Sequence, residues 1–437
     1  MYESAAALTN IASGTSEHTA FVVNAGAVPP LVALLSCTHL GADVANAVRE
    51  QATWALANIA GDSSAFRDGV IDAGVVDPLA WMLATPSTPV ALLRNAAWLM
   101  SNLCRGEPPP DVGAVQRLLG CAPRLLSLCD GAGAGVTGVS DTAADEIVAD
   151  VCWGLSALAG GGADLVQSVI DSPGIVPRLV ELIVAPPRNG APPISSPPSS
   201  PVSPCGRANG AQHVPAYVLP ALRAVGALLA GDEQQAQFVL NHHALACLYR
   251  LLTSASQKPS RALRKEACWA LSNVTAGSRE QVASVARAGV FPMILSLLTR
   301  NEPFAVRREA AWVISNALRG GGRDVVVLLV EEHDALAPLS EMLVDAAECN
   351  DAVALGAVIG GIDAALHVGV DGGGINSYVT ILQDCDGADT LEELQHHAQP
   401  DISSAASRLV DLYLGSSMDQ EEEHDDSMLH FRAPSCA

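Results

Sequence analysis

Apolar residues in this chain fall at helical spacing, and they do so in two phrases that alternate along its length. The first is a Gly turn, an apolar pair and a short amphipathic run, as in Gly26-Ala-Val-Pro-Pro-Leu-Val-Ala-Leu-Leu35, Gly74-Val-Val-Asp-Pro-Leu-Ala-Trp-Met-Leu83, Gly174-Ile-Val-Pro-Arg-Leu-Val-Glu-Leu-Ile183 and Gly289-Val-Phe-Pro-Met-Ile-Leu-Ser-Leu-Leu298. Degenerate copies start at Gly120, His243, Asp334 and Gly373. The Gly supplies a left-handed residue that ends one helix, and Pro opens the next within its first turn. His and Asp tolerate that conformation better than most residues.

The second phrase is longer and carries a Trp and an Asn: Trp54-Ala-Leu-Ala-Asn58, Trp98-Leu-Met-Ser-Asn102, Trp269-Ala-Leu-Ser-Asn273 and Trp312-Val-Ile-Ser-Asn316. Residues four apart share a helix face, so each copy sets an indole beside a carboxamide. Adjacent copies are 44 and 43 residues apart, the period of a two- or three-helix solenoid unit. Each unit therefore reads as a short first helix, a second helix on the Leu-rich phrase and a third helix with Trp and Asn. This is the armadillo pattern. It predicts an all-α, right-handed superhelical solenoid from the first residues to about residue 415, beginning inside a repeat.

The array has breaks. A Gly-rich insertion at about 131–141 and a Pro/Ser/Gly-rich one at 185–211 cannot pack as helices and read as solvated loops. The tail from Ser416, strongly acidic between Asp419 and Asp426, reads as disordered.

Composition changes the picture in three ways. Hydrophobic residues make up 49% of the chain but aromatic ones only 4%, so the core is built of Ala, Leu and Val, which suits close helix packing. Eleven Cys occur without a CxxC pair, and Cys104, Cys152 and Cys268 sit in apolar helical runs, which predicts free, buried thiols in a reducing compartment. The start lacks the basic residues of a secretory signal, and no uninterrupted apolar run reaches the roughly 18 residues of a membrane span, so the protein reads as soluble and intracellular. The net charge of −23 argues against nucleic acid and membrane surfaces and for a basic partner.

Tyr2-Glu-Ser-Ala-Ala-Ala-Leu-Thr-Asn-Ile-Ala-Ser-Gly-Thr-Ser-Glu-His-Thr19, Glu50-Gln-Ala-Thr-Trp-Ala-Leu-Ala-Asn-Ile-Ala-Gly-Asp62 and Lys265-Glu-Ala-Cys-Trp-Ala-Leu-Ser-Asn-Val-Thr-Ala-Gly277 closely resemble the importin alpha family. The resemblance implies an adaptor of nuclear import, in cytoplasm and nucleus, that binds basic nuclear localisation signals and hands them to importin beta. It places a major pocket on Asn10, Gly14, Thr19, Gln51, Trp54, Asn58, Asp62, Asn95, Trp98, Asn102, Asp150 and Trp153, with Gly14, Thr19 and Asp62 around the most selectively read lysine. A minor pocket matches Arg223, Glu266, Trp269, Asn273, Glu309, Trp312 and Asn316.

Residue chemistry supports such a groove independently. Third helices of a solenoid form parallel rows, so Asn residues can hydrogen-bond an extended peptide while Lys or Arg stems lie between indoles. Position −3 from each Trp shares that face and reads Gln51, Asn95, Asp150, Glu266 and Glu309, groups able to meet cationic heads. A cation–π contact contributes about 0.5–2 kcal/mol and a hydrogen bond about 0.5–1.5 kcal/mol net. Five or six contacts are then needed to reach about −8 to −12 kcal/mol, micromolar to nanomolar affinity.

Departures from the family pattern matter too. Ala6 stands in the first Trp position, Ala157 follows Trp153 in place of a polar partner, Ala227 follows Arg223, and Gly356 and Gly360 carry neither ladder residue. The chain opens inside what resembles the third helix of the second family repeat, without the first repeat or the basic importin-beta-binding segment. Either this is an incomplete gene model, the favoured explanation, or a real variant that cannot recruit importin beta in the usual way, and importin beta is a partner only if that segment exists. The last repeats and acidic tail resemble the part of the family that meets the export receptor.

Alternative readings are blander. Trp81, in a second-helix phrase, is assigned to the core. Asp62 alone could be a turn residue, and Glu266 and Glu309 follow Lys265 and Arg308 and could form a solvated charged face. Gly160-Gly161-Gly162 and Gly320-Gly321-Gly322 lack a phosphate-loop lysine, and His242-His243 and His396-His397 lack metal-ligand spacing, so no catalytic group, metal or cofactor is expected. The competing functional reading is an armadillo scaffold, like the catenin-type members, for a helical or acidic partner outside transport.

Overall fold

The computed structural model describes residues 1–37, 40–130, 139–184, 214–254, 259–370 and 376–415. Among these the chain is helical, with no strand. Its contacts separate into two compact units, Met1–Cys247 and Leu248–Ala437. The expected insertions at 131–141 and 185–211 and the tail from Ser416 fall almost wholly outside the described residues.

The first unit contains α1 (Tyr2–Ala12), α2 (Ser16–Asn24), α3 (Val28–Leu35), α4 (Ala42–Asp62), α5 (Ser64–Asp72), α6 (Val76–Ala84), α7 (Val90–Leu103), α8 (Val112–Leu119), α9 (Ala122–Leu126), α10 (Asp141–Gly160), α11 (Ala163–Asp171), α12 (Ile175–Leu182), α13 (Val218–Leu229) and α14 (Glu233–Asn241). The division falls within α15 (Ala244–Leu252). The second unit continues with α16 (Arg261–Thr275), α17 (Arg279–Arg287), α18 (Phe291–Leu297), α19 (Phe304–Gly320), α20 (Arg323–Val327), α21 (Leu336–Glu348), α22 (Ala352–Gly369), α23 (Ser377–Asp384), α24 (Gly387–Leu394) and α25 (Pro400–Leu409).

The turn chemistry explains this segmentation. Gly26, Gly74, Gly174 and Gly289 have φ of 76°, 86°, 84° and 66°, and His243 and Asp334 take the same left-handed conformation at 66° and 57°. Gly120 does not: its φ is −60°, and the chain passes from α8 to α9 through right-handed residues. Gly373 lies outside the described residues. Third helices open on side-chain caps where the sequence offers one, with Ser140, Ser260 and Asp351 accepting from the backbone N–H three residues on.

The short second helices end on carbonyls that need donors. Arginines supply them: Arg49 of α4 donates to Leu35 and Cys37 at the end of α3, and Arg307 of α19 to Leu298 at the end of α18. Arg49 also lies 5.5 Å from the ring centre of Trp81, which is 54% exposed. The assignment of Trp81 to the core is therefore corrected. Its indole projects from α6 over a guanidinium that is itself held by backbone carbonyls, a cation–π position.

The core is a stack of third helices. In the first unit α1 packs on α4, α4 on α7, α7 on α10 and α10 on α13; in the second, α16 packs on α19, α19 on α22 and α22 on α25. Ala52, Ala55, Leu56 and Ala57 of α4 and Ala96, Ala97 and Leu99 of α7 are wholly buried, and small side chains keep the axes close. Two glycines permit close approaches. A Cβ on Gly154 of α10 would stand 3.2 Å from Ser101 Cα, and one on Gly361 of α22 would stand 2.9 Å from Ser315 Cα.

Ser101 and Ser315 are each three residues past a ladder Trp, and Gly154 directly follows Trp153. The matching register makes Gly360, not Gly356, the residue at the indole position of α22, with Ala364 at the Asn position. The expectation that Gly356 and Gly360 fill those two places is corrected by one helical turn. Cys104, Cys152 and Cys268 are buried free thiols, as expected, and burial pushes Cys104 up to about 12. The 18 residues of α22 have mean hydropathy 1.7, long and apolar enough by composition to cross a membrane; α22 packs against α19, α21 and α25.

Candidate functional site

In the first unit the ladder residues occupy one face of successive third helices. Trp54 on α4 is 43% exposed, and Trp98 on α7 and Trp153 on α10 are half-buried. Asn10 on α1 is exposed and Ala6, in place of an indole, is half-buried. Gln51, Asn58, Asp62 and Asn95 are half-buried, while Asn102 is only 1% exposed.

The carboxamides are not free rotors. Asn58 Nδ2 donates to the carbonyl of Thr9 at 3.2 Å, and Asn102 Nδ2 donates to that of Ala57 at 2.8 Å. In the second unit Asn316 Nδ2 donates to Ser272 at 3.1 Å. Thr9, Ala57 and Ser272 each directly precede the ladder Asn of the previous third helix, so one rule generates all three bonds. Asn95 repeats the arrangement one turn earlier, donating to Glu50, the residue before Gln51, at 3.4 Å. Each such Asn keeps a second N–H and its carbonyl oxygen beyond the inter-helix bond. The oxygen of Asn102 accepts from Arg105 Nη2.

Around the expected lysine pocket, Thr19 is 1% exposed and its hydroxyl donates to Ala12 and Thr15 carbonyls at 3.3 and 3.4 Å. Its geometry holds the turn between α1 and α2 and does not aim a hydroxyl outward. Gly14 is exposed, and a Cβ there would stand 2.5 Å from His18 Nδ1, the imidazole that caps Thr15. Asp62 ends α4, one residue after Gly61, where a Cβ would meet Asn102 Nδ2 at 3.0 Å. A side chain at Gly61 would crowd the Asn102 carboxamide, a constraint that the Trp–Asn spacing does not reveal.

Asp150 is the most perturbed acid of this face. Burial first, and then the neighbouring Glu146, push its carboxyl up to about 7, against the pull of Arg105 and Arg94. Arg94 is itself ion-paired with Glu146. Arg105, which was not among the expected site residues, stands between Asn102 and Asp150; its signal in the sequence is the spacing Asn102-Leu-Cys-Arg105, repeated as Asn316-Ala-Leu-Arg319.

The second unit differs. Trp269 is 7% and Trp312 3% exposed, and Glu266, Glu309 and Asn316 are buried as well. The expectation that these indoles line an open trough is corrected: both rings are buried in the second unit. Asn273 is half-buried. Burial raises the carboxyl of Glu309, opposed by Arg308 and Lys265. Glu266, Trp269 and Asn273 on α16 and Glu309, Trp312 and Asn316 on α19 do come together, linked by the Asn316–Ser272 bond. Arg223, half-buried on α13, and Ala227 belong to the first unit. No cluster of metal-ligating side chains occurs among the described residues.

Comparison with known proteins agrees with this architecture. The Armadillo/beta-catenin-like repeat family matches residues 15–61, 64–105, 232–276 and 278–319, and the atypical Arm repeat family matches 376–428. Importin subunit alpha-1b of Oryza sativa subsp. japonica is 37% identical over 432 residues, covering 98% of this chain and 69% of that protein. Importin subunit alpha-4 of Arabidopsis thaliana is 35% identical over 428 residues, 97% of this chain and 68% of that protein. An engineered protein of known structure, 22% identical, superimposes with a TM-score of 0.63 over 94% of both chains, a likeness of fold.

Proposed function

Because this chain belongs to the importin alpha family of armadillo nuclear-import adaptors, we propose that it binds basic nuclear localisation signals in extended form along the Trp/Asn face of its third helices. The observation that carries this reading is the fixed carboxamide row of the first unit. Each inter-helix bond orients an Asn before any peptide arrives, so a bound backbone meets a donor and an acceptor that have little rotamer freedom left to lose. Trp54, Trp98 and Trp153 are part-accessible to cationic stems, Asp62 supplies a carboxylate, and Asp150 adds charge as its raised carboxyl ionises beside a cation.

Asn10, Gln51, Asn58, Asp62, Asn95, Asn102, Asp150 and the three indoles are the residues assigned to peptide contact in the first unit, with Gly14 and Thr19 shaping the lysine pocket from behind. Glu266, Trp269, Asn273, Glu309, Trp312 and Asn316 are assigned to the second-unit site, and Arg223, in an indole place as in the family, to the minor set. In this reading the adaptor moves between cytoplasm and nucleus, performs no catalysis, and meets an export receptor at its last repeats. Importin beta joins where a basic segment precedes these residues.

The coverage of Trp269 and Trp312 favours a second reading for that unit, a scaffold surface for a partner without a basic signal. One titration separates the two. A fluorescent Lys/Arg-rich peptide binds the full chain at micromolar or tighter affinity and weakens as salt rises if the adaptor reading holds. Absence of binding at low salt overturns it. Asp62→Lys weakens single-cluster peptides most, whereas Glu309→Arg weakens peptides with a second basic cluster; equal affinities across wild type and both variants discard the residue assignment.

A further inference from the structure

The first helices α2, α14 and α17 each open on a capping box, in which the N-cap side chain accepts from the backbone three residues on and that residue's side chain accepts from the N-cap N–H. In α14 and α17 the returning acceptor is a glutamine: Asp232 N–H donates to Gln235 Oε1 and Ser278 N–H to Gln281 Oε1, both at 3.1 Å. In α2 it is an imidazole, and Thr15 N–H donates to His18 Nδ1 at 3.3 Å. The glycine ahead of the box is common to all three. A Cβ would stand 2.5 Å from His18 Nδ1 at Gly14 and 2.5 Å from Gln235 Oε1 at Gly231, and Gln281 crowds Gly277 in the same way.

A glutamine carbonyl accepts at any pH, whereas an imidazole nitrogen accepts only while it carries no proton. Acceptance at Nδ1 puts the neutral ring's proton on Nε2. A second proton goes to Nδ1, and two N–H donors then face each other across the capping box, in the pH 5 to 8 range where histidine is the side chain that changes charge. His18 is exposed, so solvent protons reach it. Its ring lies against Gly14, which with Thr19 and Asp62 is assigned to the most selectively read lysine. The titratable and charged groups on the elements packed against α2 are Tyr2 and Glu3 of α1 and Asp43, Arg49, Glu50 and Asp62 of α4, with Glu17 on α2 itself; α3, which follows, has none. Arg49 is engaged with the carbonyls of Leu35 and Cys37. Acids therefore prevail on these helices while His18 is neutral, and its protonation sets a cation among them.

We propose that His18 is a positioning residue that makes lysine reading in the first unit depend on pH: the neutral ring holds the Gly14–Thr15 turn, and the protonated ring releases that turn and places a positive charge beside the lysine pocket. This role rests on the groove reading above, and it is one that a glutamine in the same place, as in α14 and α17, would not play.

The test titrates a fluorescent single-cluster Lys/Arg peptide into the full chain at pH 7.5 and pH 5.5 at matched ionic strength, for wild type, His18→Gln and His18→Arg. Between the two pH values wild type is expected to lose about fivefold more affinity than His18→Gln, the scale of one like-charge contact close to bulk water. What pH dependence His18→Gln retains is the share of Asp150. At pH 7.5 His18→Gln binds as wild type does, because the amide restores the capping bond without a titrating group. His18→Arg, charged and without an acceptor at either pH, binds about fivefold more weakly than wild type at pH 7.5 and changes with pH no more than His18→Gln. Thermal melts at both pH values check that every chain is folded. Equal pH ratios for wild type and His18→Gln, or a His18→Arg chain that matches wild type at pH 7.5, overturn the role of His18 while the peptide still binds and the groove reading stands. No binding by wild type at pH 7.5 overturns the adaptor reading and this role with it.

Discussion

The side-chain nitrogen of Asn102 donates to the carbonyl oxygen of Ala57 at 2.8 Å, one residue ahead of Asn58 and across the contact between α7 and α4. Under the proposed function the bond couples two roles that a sequence motif presents as one, since the carboxamide that ties adjacent third helices is also the one assigned to the peptide. Replacing Asn102 by Ala should therefore lower stability by about 1–2 kcal/mol, the cost of a lost buried hydrogen bond, and weaken a basic peptide as well. Thermal melts and peptide titration on the same sample read the two effects, and a loss of affinity without any loss of stability would contradict the coupling.

Indoles in the two units should respond in opposite ways to truncation. Trp54→Ala removes a half-exposed ring, so stability should change by less than about 1 kcal/mol while peptide affinity falls. Trp312→Ala removes a buried ring and should cost about 3–5 kcal/mol through the cavity it leaves. Urea unfolding of both variants distinguishes a contact residue from a core residue.

Glycine approaches should be intolerant of a single methyl group. Gly361→Ala places a Cβ 2.9 Å from Ser315 Cα, and Gly154→Ala places one 3.2 Å from Ser101 Cα, so each should destabilise by about 1–3 kcal/mol as the helices shift apart. The larger loss is expected for Gly361→Ala, whose contact is closer. Differential scanning calorimetry gives the order.

Asp150 makes both stability and binding depend on pH. Its carboxyl, raised to about 7 in the folded chain, holds a proton that the unfolded chain releases near the ordinary carboxylate range of about 4. The folded state then binds more protons between those values, so the stability contribution falls as pH rises from about 4 to about 7 and is level above. A peptide cation beside the group favours its ionised form, so affinity should rise between pH 6 and pH 8. Asp150→Asn should flatten both profiles, read by melts and titrations at matched ionic strength.

Much of this architecture is legible in the residues. Gly26, Gly74, Gly174, Gly289, His243 and Asp334 mark the helix breaks because each must adopt a left-handed backbone, a local demand that leaves a local signature. The Trp–Asn face is legible for the same reason, since four-residue spacing fixes a helix face whatever surrounds it. Exposure is not local. Trp81 and Trp312 sit in equally apolar phrases, yet one projects from α6 and the other is buried, because packing between helices distant in sequence decides what covers a ring. The register of α22 escaped for a related cause: Gly356, Gly360 and Gly361 are interchangeable as letters, and only the contact with Ser315 tells which one lies opposite α19.

The bond from Asn102 to Ala57 also bears on how the molecule ages. Spontaneous deamidation would turn the donating nitrogen into a carboxylate oxygen set against a carbonyl oxygen, converting an attraction between α4 and α7 into repulsion and adding negative charge at the same spot. The burial that hides this carboxamide from water thus protects the joint between two helices from slow chemical wear, and aged protein should keep its cohesion at this joint while exposed carboxamides such as Asn10 change first.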